Sequence, residues 1–153
     1  MTVDRNEMNH RLIKFSESLN IRFWRVDYNQ LSFAEQVFGL VWELESEVNN
    51  GGFHQYFWNS TGALAPYVVD ALKAVGAVAA ASIAQQALAL VGPDVSWSDD
   101  AARKAHISEL SSQAKEKLQE LDQAFHTYPD DLTTLLYRYA TQHRSELRVP
   151  ADF

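Results

Sequence analysis

Five side chains that could do chemistry lie close together in the sequence: Glu47, Asn49, His54, Gln55 and Asn59. A carboxylate near a histidine can act as a general base or bind a metal ion, and burial of Glu47 would raise its pKa. The stretch holds only one histidine, however, and no HExxH or paired-histidine spacing accompanies it. The pattern alone therefore does not predict a catalytic or metal centre.

The same side chains could instead satisfy backbone groups at helix ends. Glu47 can accept hydrogen bonds from the free N–H groups of a following helix, and Asn49 and Asn50 can cap. Asn59 and Ser60 can hold the next turn of the chain in the same way. We favour this structural role over ligand binding, and ligand binding over catalysis.

Two glycines divide the element that carries these residues. Residues 32–48 have helical periodicity, and Ser32 with Glu35 three positions later predicts a capping box at the start of a helix. Gly51 and Gly52 tolerate positive φ, which predicts that the helix ends there. A short aromatic helix is then expected to begin at Phe53.

The aromatic helix is predicted to have one apolar stripe and two polar flanks. Phe53, Tyr56 and Phe57 fall at i, i+3 and i+4, so they share a face. His54 and Trp58 form one flank, and Gln55 and Asn59 form the other.

The rest of the chain also has helical patterning with short connections, which predicts one all-α domain over residues 1–153, a bundle of about six or seven helices. An Asp at position 130 or 131 is predicted to cap the last of them, and Pro66 suits the first turn of a helix that ends at Gly76. The predicted helices span about 4–19, 32–48, 53 onward, 66–75, 77–91, 101–128 and 132 onward, and residues 21–26 are predicted to be extended.

One predicted helix is apolar on more than one side. In residues 32–48, Trp42 lies opposite the main stripe and Phe38 lies well off it. The helix is therefore either covered on two sides within the chain or presents aromatic side chains to a second copy, as in a homodimer.

Composition favours a cytoplasmic protein that needs no cofactor or metal to fold. The 153 residues include no cysteine, which excludes disulfides and zinc thiolate sites. The N-terminus lacks the apolar core of a signal peptide. Residues 74–93 carry no charge, but their alanine-rich composition is too weakly hydrophobic for a membrane span.

The net charge of −7 is concentrated in one region. Residues 26–72 contain six acids and no lysine or arginine, and residues 26–102 together carry −8. Such a field repels nucleic acid and attracts basic proteins, in a manner that depends on salt. The acids that we expect to bind a partner are Glu35, Glu43, Glu45, Asp70, Asp94, Asp99 and Asp100.

The stretch around the two glycines resembles the signature of the bacterial DNA-mimic protein family, and the order of the later helices is similar from about residue 31 onward. The residues that carry the resemblance are Glu47, Asn49, Asn50, Gly51, Gly52, Phe53, Gln55, Phe57, Asn59 and Gly62. The resemblance implies an all-α, dimeric protein whose surface carboxylates imitate DNA phosphates and occupy the binding face of a DNA-binding protein.

The leading hypothesis is therefore a non-catalytic, acidic interaction protein with a basic protein partner, such as a DNA-binding regulator. One alternative is an enzyme or small-ligand protein with a pocket at Glu47, His54, Gln55 and Asn59. Another is an immunity-type inhibitor of a basic toxin, which the sequence does not separate from the first.

Overall fold

A computed structural model describes residues 2–25 and 28–148 of the protein, and leaves the side chains of residues 20–25 undescribed. The prediction of an all-α fold is confirmed: the described residues form eight α-helices, joined in part by 3-10 turns, where about six or seven helices were expected. The α-helices are α1 Arg5–Arg25, α2 Phe33–Trp58, α3 Val68–Ala74, α4 Val78–Val91, α5 Asp100–Ser108, α6 Ser112–His126, α7 Leu132–Gln142 and α8 Arg144–Leu147.

Helix α2 is the centre of the bundle, and α1, α3, α5, α6, α7 and α8 all contact it. Its start confirms the predicted capping box. Ser32 Oγ accepts a hydrogen bond from the Glu35 amide at 3.1 Å, and Glu35 Oε1 accepts one from the Ser32 amide at 3.1 Å. Two otherwise unpaired backbone donors are satisfied, so the N-terminus of α2 is well defined.

The second apolar side of α2 is covered within the chain. Phe38 is fully buried, and its ring meets the ring of Phe15 from α1 edge-on, with centroids 4.7 Å apart. Trp42 stacks on Phe38 at 5.9 Å and is half-buried. Intramolecular packing thus accounts for these two aromatic side chains, and the homodimer stays a prediction.

Two predicted elements differ from the structure. The helix expected over residues 101–128 is two helices, because Ser111 Oγ caps a new helix by accepting from the Ala114 amide at 3.0 Å. The break lets α5 and α6 each pack on α2 in its own direction, with α6 also contacting α4. Residues 21–25 were predicted to be extended but continue α1, and Val26 of that prediction lies outside the described residues.

The chain from Asn59 to α3 is tighter than expected. Pro66 lies in a 3-10 helix, Ser60–Tyr67, that precedes α3. The predicted end at Gly76 is confirmed, with a φ of 89° that favours glycine.

Two adjacent aspartates cap the N-termini of two different helices, α4 and α7. Asp131 caps α7 through the Thr134 amide at 3.3 Å, whereas Asp130 Oδ2 accepts from the Ala80 amide at 2.8 Å and so caps α4. The N-cap residue of α4, Ala77, has no side chain that can cap, so a residue distant in sequence takes that role. Among the described helices, none combines the length and apolar character needed to cross a membrane.

Candidate functional site

The predicted break in α2 is a sharp bend at Gly52, which has a φ of 80° and a ψ of −179°. The bend frees the amide of Phe53, and Asp122 Oδ1 from α6 accepts its hydrogen bond at 2.7 Å. Burial raises the pKa of Asp122, while this hydrogen bond lowers it. Our expectation that Glu47 accepts such backbone hydrogen bonds is wrong, because the Asp122 carboxylate of α6 occupies that position.

Three glycines of the motif make room for close contacts. A Cβ on Gly52 would lie 2.3 Å from Asp122 Oδ2, and a Cβ on Gly51 would lie 1.9 Å from Gln55 Oε1. At Gly62, a Cβ would lie 2.2 Å from the Phe57 carbonyl oxygen. A side chain at Gly62 would meet backbone, and one at Gly52 would also be strained by the positive φ, whereas at Gly51 the Gln55 side chain would have to move.

Glu47 holds two amide side chains of the following helical segment. Its Oε2 accepts a hydrogen bond from Gln55 Nε2 at 2.8 Å and another from Asn59 Nδ2 at 3.0 Å. We call these three residues the Glu47 cluster. It bridges the two sides of the bend and fixes the orientation of both amides. Asn49, predicted to cap, instead donates from Nδ2 to the Tyr128 hydroxyl at 2.6 Å.

Arg103 of α5, which was not among the predicted site residues, completes this region, and its side chain is fully buried. Its Nε donates to the Phe57 carbonyl at 2.9 Å and its Nη2 to the Asn59 carbonyl at 3.0 Å. Nη1 donates to the Trp97 carbonyl at 2.7 Å, and Nη2 also pairs with Asp100 at 2.8 Å.

Arg103 therefore satisfies the Phe57 carbonyl at the end of α2, where a positive charge is also favourable, and adds a second donor to the Asn59 carbonyl, which also accepts from the Gly62 amide at 2.9 Å. The available signal was its position four residues before Ile107, because both side chains lie on the buried face of α5.

Both polar flanks of the aromatic segment line one cavity of about 550 Å³, formed with Ser108 and Lys115. His54 and Trp58 are stacked at 6.3 Å, and Lys104 Nζ lies 5.7 Å from the Trp58 ring centroid. Gln55 and Asn59 also line this cavity. The two flanks adjoin on the side of the segment opposite its apolar stripe, so one cavity contacts both. The described residues hold no group of three or more acids and histidines suited to a metal ion.

The predicted acidic residues divide into exposed and buried groups. Asp70, Asp94, Asp99 and Asp100 are exposed, although Asp99 also caps α5 and Asp100 pairs with Arg103. Glu35 is fully buried, where it caps α2 and pairs with Arg148. Its prediction as a surface partner-binding residue is wrong, because the capping box turns its carboxylate back onto the backbone.

Glu43 and Glu45 are half-buried. Glu45 Oε2 is shielded from solvent and has no hydrogen-bond partner among the described residues. Burial raises the pKa of Glu45 to about 7, although the nearby Arg5 opposes that rise. Arg5 is itself paired with Asp131 at 2.7 Å, so its charge is shared.

Replacement of Arg103 by Met should lower the free energy of unfolding by at least about 3 kcal/mol, because several carbonyls and Asp100 would lose their partner. Arg103→Lys should retain only a small part of that stability, since the ammonium group lacks the planar set of donors of a guanidinium. Urea denaturation followed by tryptophan fluorescence measures the change. The neighbouring Lys104→Met is the control, and an equal loss there would contradict the assignment.

Glu45 should make stability depend on pH. A carboxyl whose folded pKa is about 7 against 4.5 unfolded favours the folded state fully below pH 4.5 and loses that contribution as the pH rises to about 7. Glu45→Gln should therefore stabilise the protein at pH 8, by on the order of 3 kcal/mol at most, and change little at pH 4. Urea denaturation at both pH values tests this, with exposed Glu116→Gln as the control. An equal effect of Glu45→Gln at both pH values would refute it.

Comparison with known proteins identifies the family of the chain. The family model of the DMP19-like protein matches residues 29–143, well over half of the 153 residues. The matched range contains α2, the Glu47 cluster and Arg103. A search of curated proteins and a search of solved structures each gave no match. The chain belongs to the family of DMP19-like proteins.

Proposed function

We propose that this protein is a non-catalytic interaction protein whose exposed carboxylates occupy the binding face of a basic protein, such as a DNA-binding regulator. The observation that carries the proposal is the exposure of Asp70, Asp94, Asp99 and Asp100 in a region poor in bases. The proposal is also supported by the family of the chain, because the motif around Gly51 and Gly52 resembles that of DNA-mimic proteins.

The surface around the exposed aspartates is acidic, because few bases lie in this part of the chain and Arg103 is already paired. The described residues 28–102 include one base, the exposed Lys73, which follows Asp70 by three positions on α3. Arg103, which follows the acidic stretch, is buried, and its donors are used by backbone carbonyls and Asp100. Arg103 is therefore paired with Asp100, and no described ion pair engages Asp70, Asp94 or Asp99.

A surface of carboxylates suits a protein that normally binds DNA. Duplex DNA presents one charge per about 1.7 Å of its axis, and proteins contact it largely through Lys and Arg side chains. Carboxylates on a folded surface can accept the same contacts. Attraction of this kind steers association and weakens as the salt concentration rises.

Affinity capture from lysate of the native cell should recover a DNA-binding protein at low salt, and added duplex DNA should displace it. The Asp70→Asn/Asp94→Asn double variant should bind that protein at least about tenfold more weakly, because two exposed charges are lost without removing a cap or an ion pair. Calorimetric titration with the purified partner measures the change.

Glu116→Gln/Glu120→Gln, which removes two exposed charges from α6, is the matched control. Binding that does not respond to salt, or recovery of metabolic enzymes only, would refute the proposal. Recovery of a basic toxin whose activity is suppressed would instead favour the immunity-type inhibitor.

The cavity beside the Glu47 cluster favours a second candidate function, the binding of a small anion. His54, Lys115 and the amides of Gln55 and Asn59 line it, and Lys104 lies over Trp58 nearby. Gln55 and Asn59 each give one amide N–H to Glu47 and keep a second, which with Lys115 and a protonated His54 can donate to a carboxylate or phosphate.

Titration with inorganic phosphate or succinate should shift the Trp58 indole N–H resonance saturably, and Lys115→Met should abolish the shift. Lys117→Met, an exposed lysine on the same helix, is the control. A Trp58 resonance that does not move at millimolar ligand, or that moves equally in Lys115→Met, would rule this function out.

A further inference from the structure

Two of the most exposed large hydrophobic side chains in the described residues lie at one groove. The side chains of Phe33 and Tyr67 are 70% and 53% exposed, and both line a groove of about 570 Å³. Val37, Leu40 and Leu64 form apolar parts of its wall. Single exposed apolar residues are common, but two aromatic rings at the edge of an apolar hollow are typical of a binding surface.

The groove is held in shape by contacts that need no ligand. Tyr28 stacks on Tyr67, with ring centroids 5.9 Å apart and planes 19° apart. Gln36 Nε2 donates to the Tyr28 carbonyl at 3.0 Å, which ties this wall to α2. The opposite wall comes from the 3-10 helix and α3, which pack against α2. An occupant would therefore meet a Tyr67 ring that is already oriented, which lowers the entropic cost of binding.

The charge at the rim indicates the chemistry of the occupant. Asp70 is the only charged residue among those that line the groove, and no described lysine or arginine lines it. Ser98, another lining residue, directly precedes the exposed Asp99 and Asp100. An apolar side chain flanked by Lys or Arg would satisfy both the hollow and its rim.

We infer that this groove receives an aromatic or large aliphatic side chain from a basic segment of the protein partner, with Asp70 pairing with a neighbouring Lys or Arg. The inference rests on the proposed function. It adds an apolar contact to the attraction between charges. A second copy of this chain fits the groove less well, because a two-fold contact of groove on groove would bring two Asp70 carboxylates together.

A labelled helical peptide with one Phe flanked by lysines one turn away on each side tests the groove by fluorescence anisotropy. Phe33→Ala and Tyr67→Ala should each weaken its binding about tenfold, since aromatic anchors dominate such contacts. Asp70→Asn should weaken it several-fold at low salt and little at high salt. Val78→Ala, an equally exposed apolar residue outside the groove, and Glu116→Gln are the controls, and circular dichroism checks the fold of each variant.

Two further peptides separate failure of the groove from failure of the proposed function. If a Phe→Ser peptide binds as tightly as the parent while Asp70→Asn weakens both, the groove inference is overturned and the acidic surface stands. If a Lys→Glu peptide binds as well as the parent, the basic chemistry of the occupant is overturned. Equal affinities of Phe33→Ala and Val78→Ala, no binding of the parent peptide, or a dimer that Phe33→Ala converts to a monomer in sedimentation would each overturn the inference.

Discussion

The rest of the structure depends on how the chain satisfies the backbone groups that are freed where α2 bends and ends. The positive φ of Gly52 interrupts the helix, so the Phe53 amide needs a partner from elsewhere, and the end of α2 leaves the Phe57 carbonyl with the same need. Asp122 satisfies the amide and Arg103 satisfies the carbonyl, while Arg103 also joins the Gly62 amide in donating to the Asn59 carbonyl. Because these two residues belong to α6 and α5, the bend fixes where both helices pack.

This constraint also explains why the glycine motif is so specific. Gly52 has a backbone conformation that favours glycine and lies against Asp122, whereas Gly51 and Gly62 leave room for Gln55 and for the approach of Arg103. Glu47 then spans the bend by holding Gln55 and Asn59. The motif is thus largely an architectural device, and the cavity lined by His54 and Lys115 lies beside it.

The surface that we propose for partner binding lies away from most of these contacts. At the groove, Phe33 and Tyr67 are exposed beside Asp70, so apolar and acidic features meet on one surface. Exposed aromatic side chains supply affinity by desolvation, while carboxylates govern attraction and partner choice. A protein that imitates DNA by charge alone would lack selectivity among basic proteins, and an apolar anchor beside the charges supplies it.

Local patterns in the sequence determined the all-α fold, the capping box of Ser32 and Glu35, the break at the glycines and the end of α3 at Gly76, because each depends on neighbouring residues. Only the tertiary structure decided that Asp122 caps the bend, that Asp130 caps α4 and that Arg103 donates to carbonyls at the end of α2. It also decided that Glu35 is hidden while Asp70 stays exposed at a groove. Such contacts join residues far apart in the chain, and helical periodicity specifies which face is apolar but not which distant polar group will meet it.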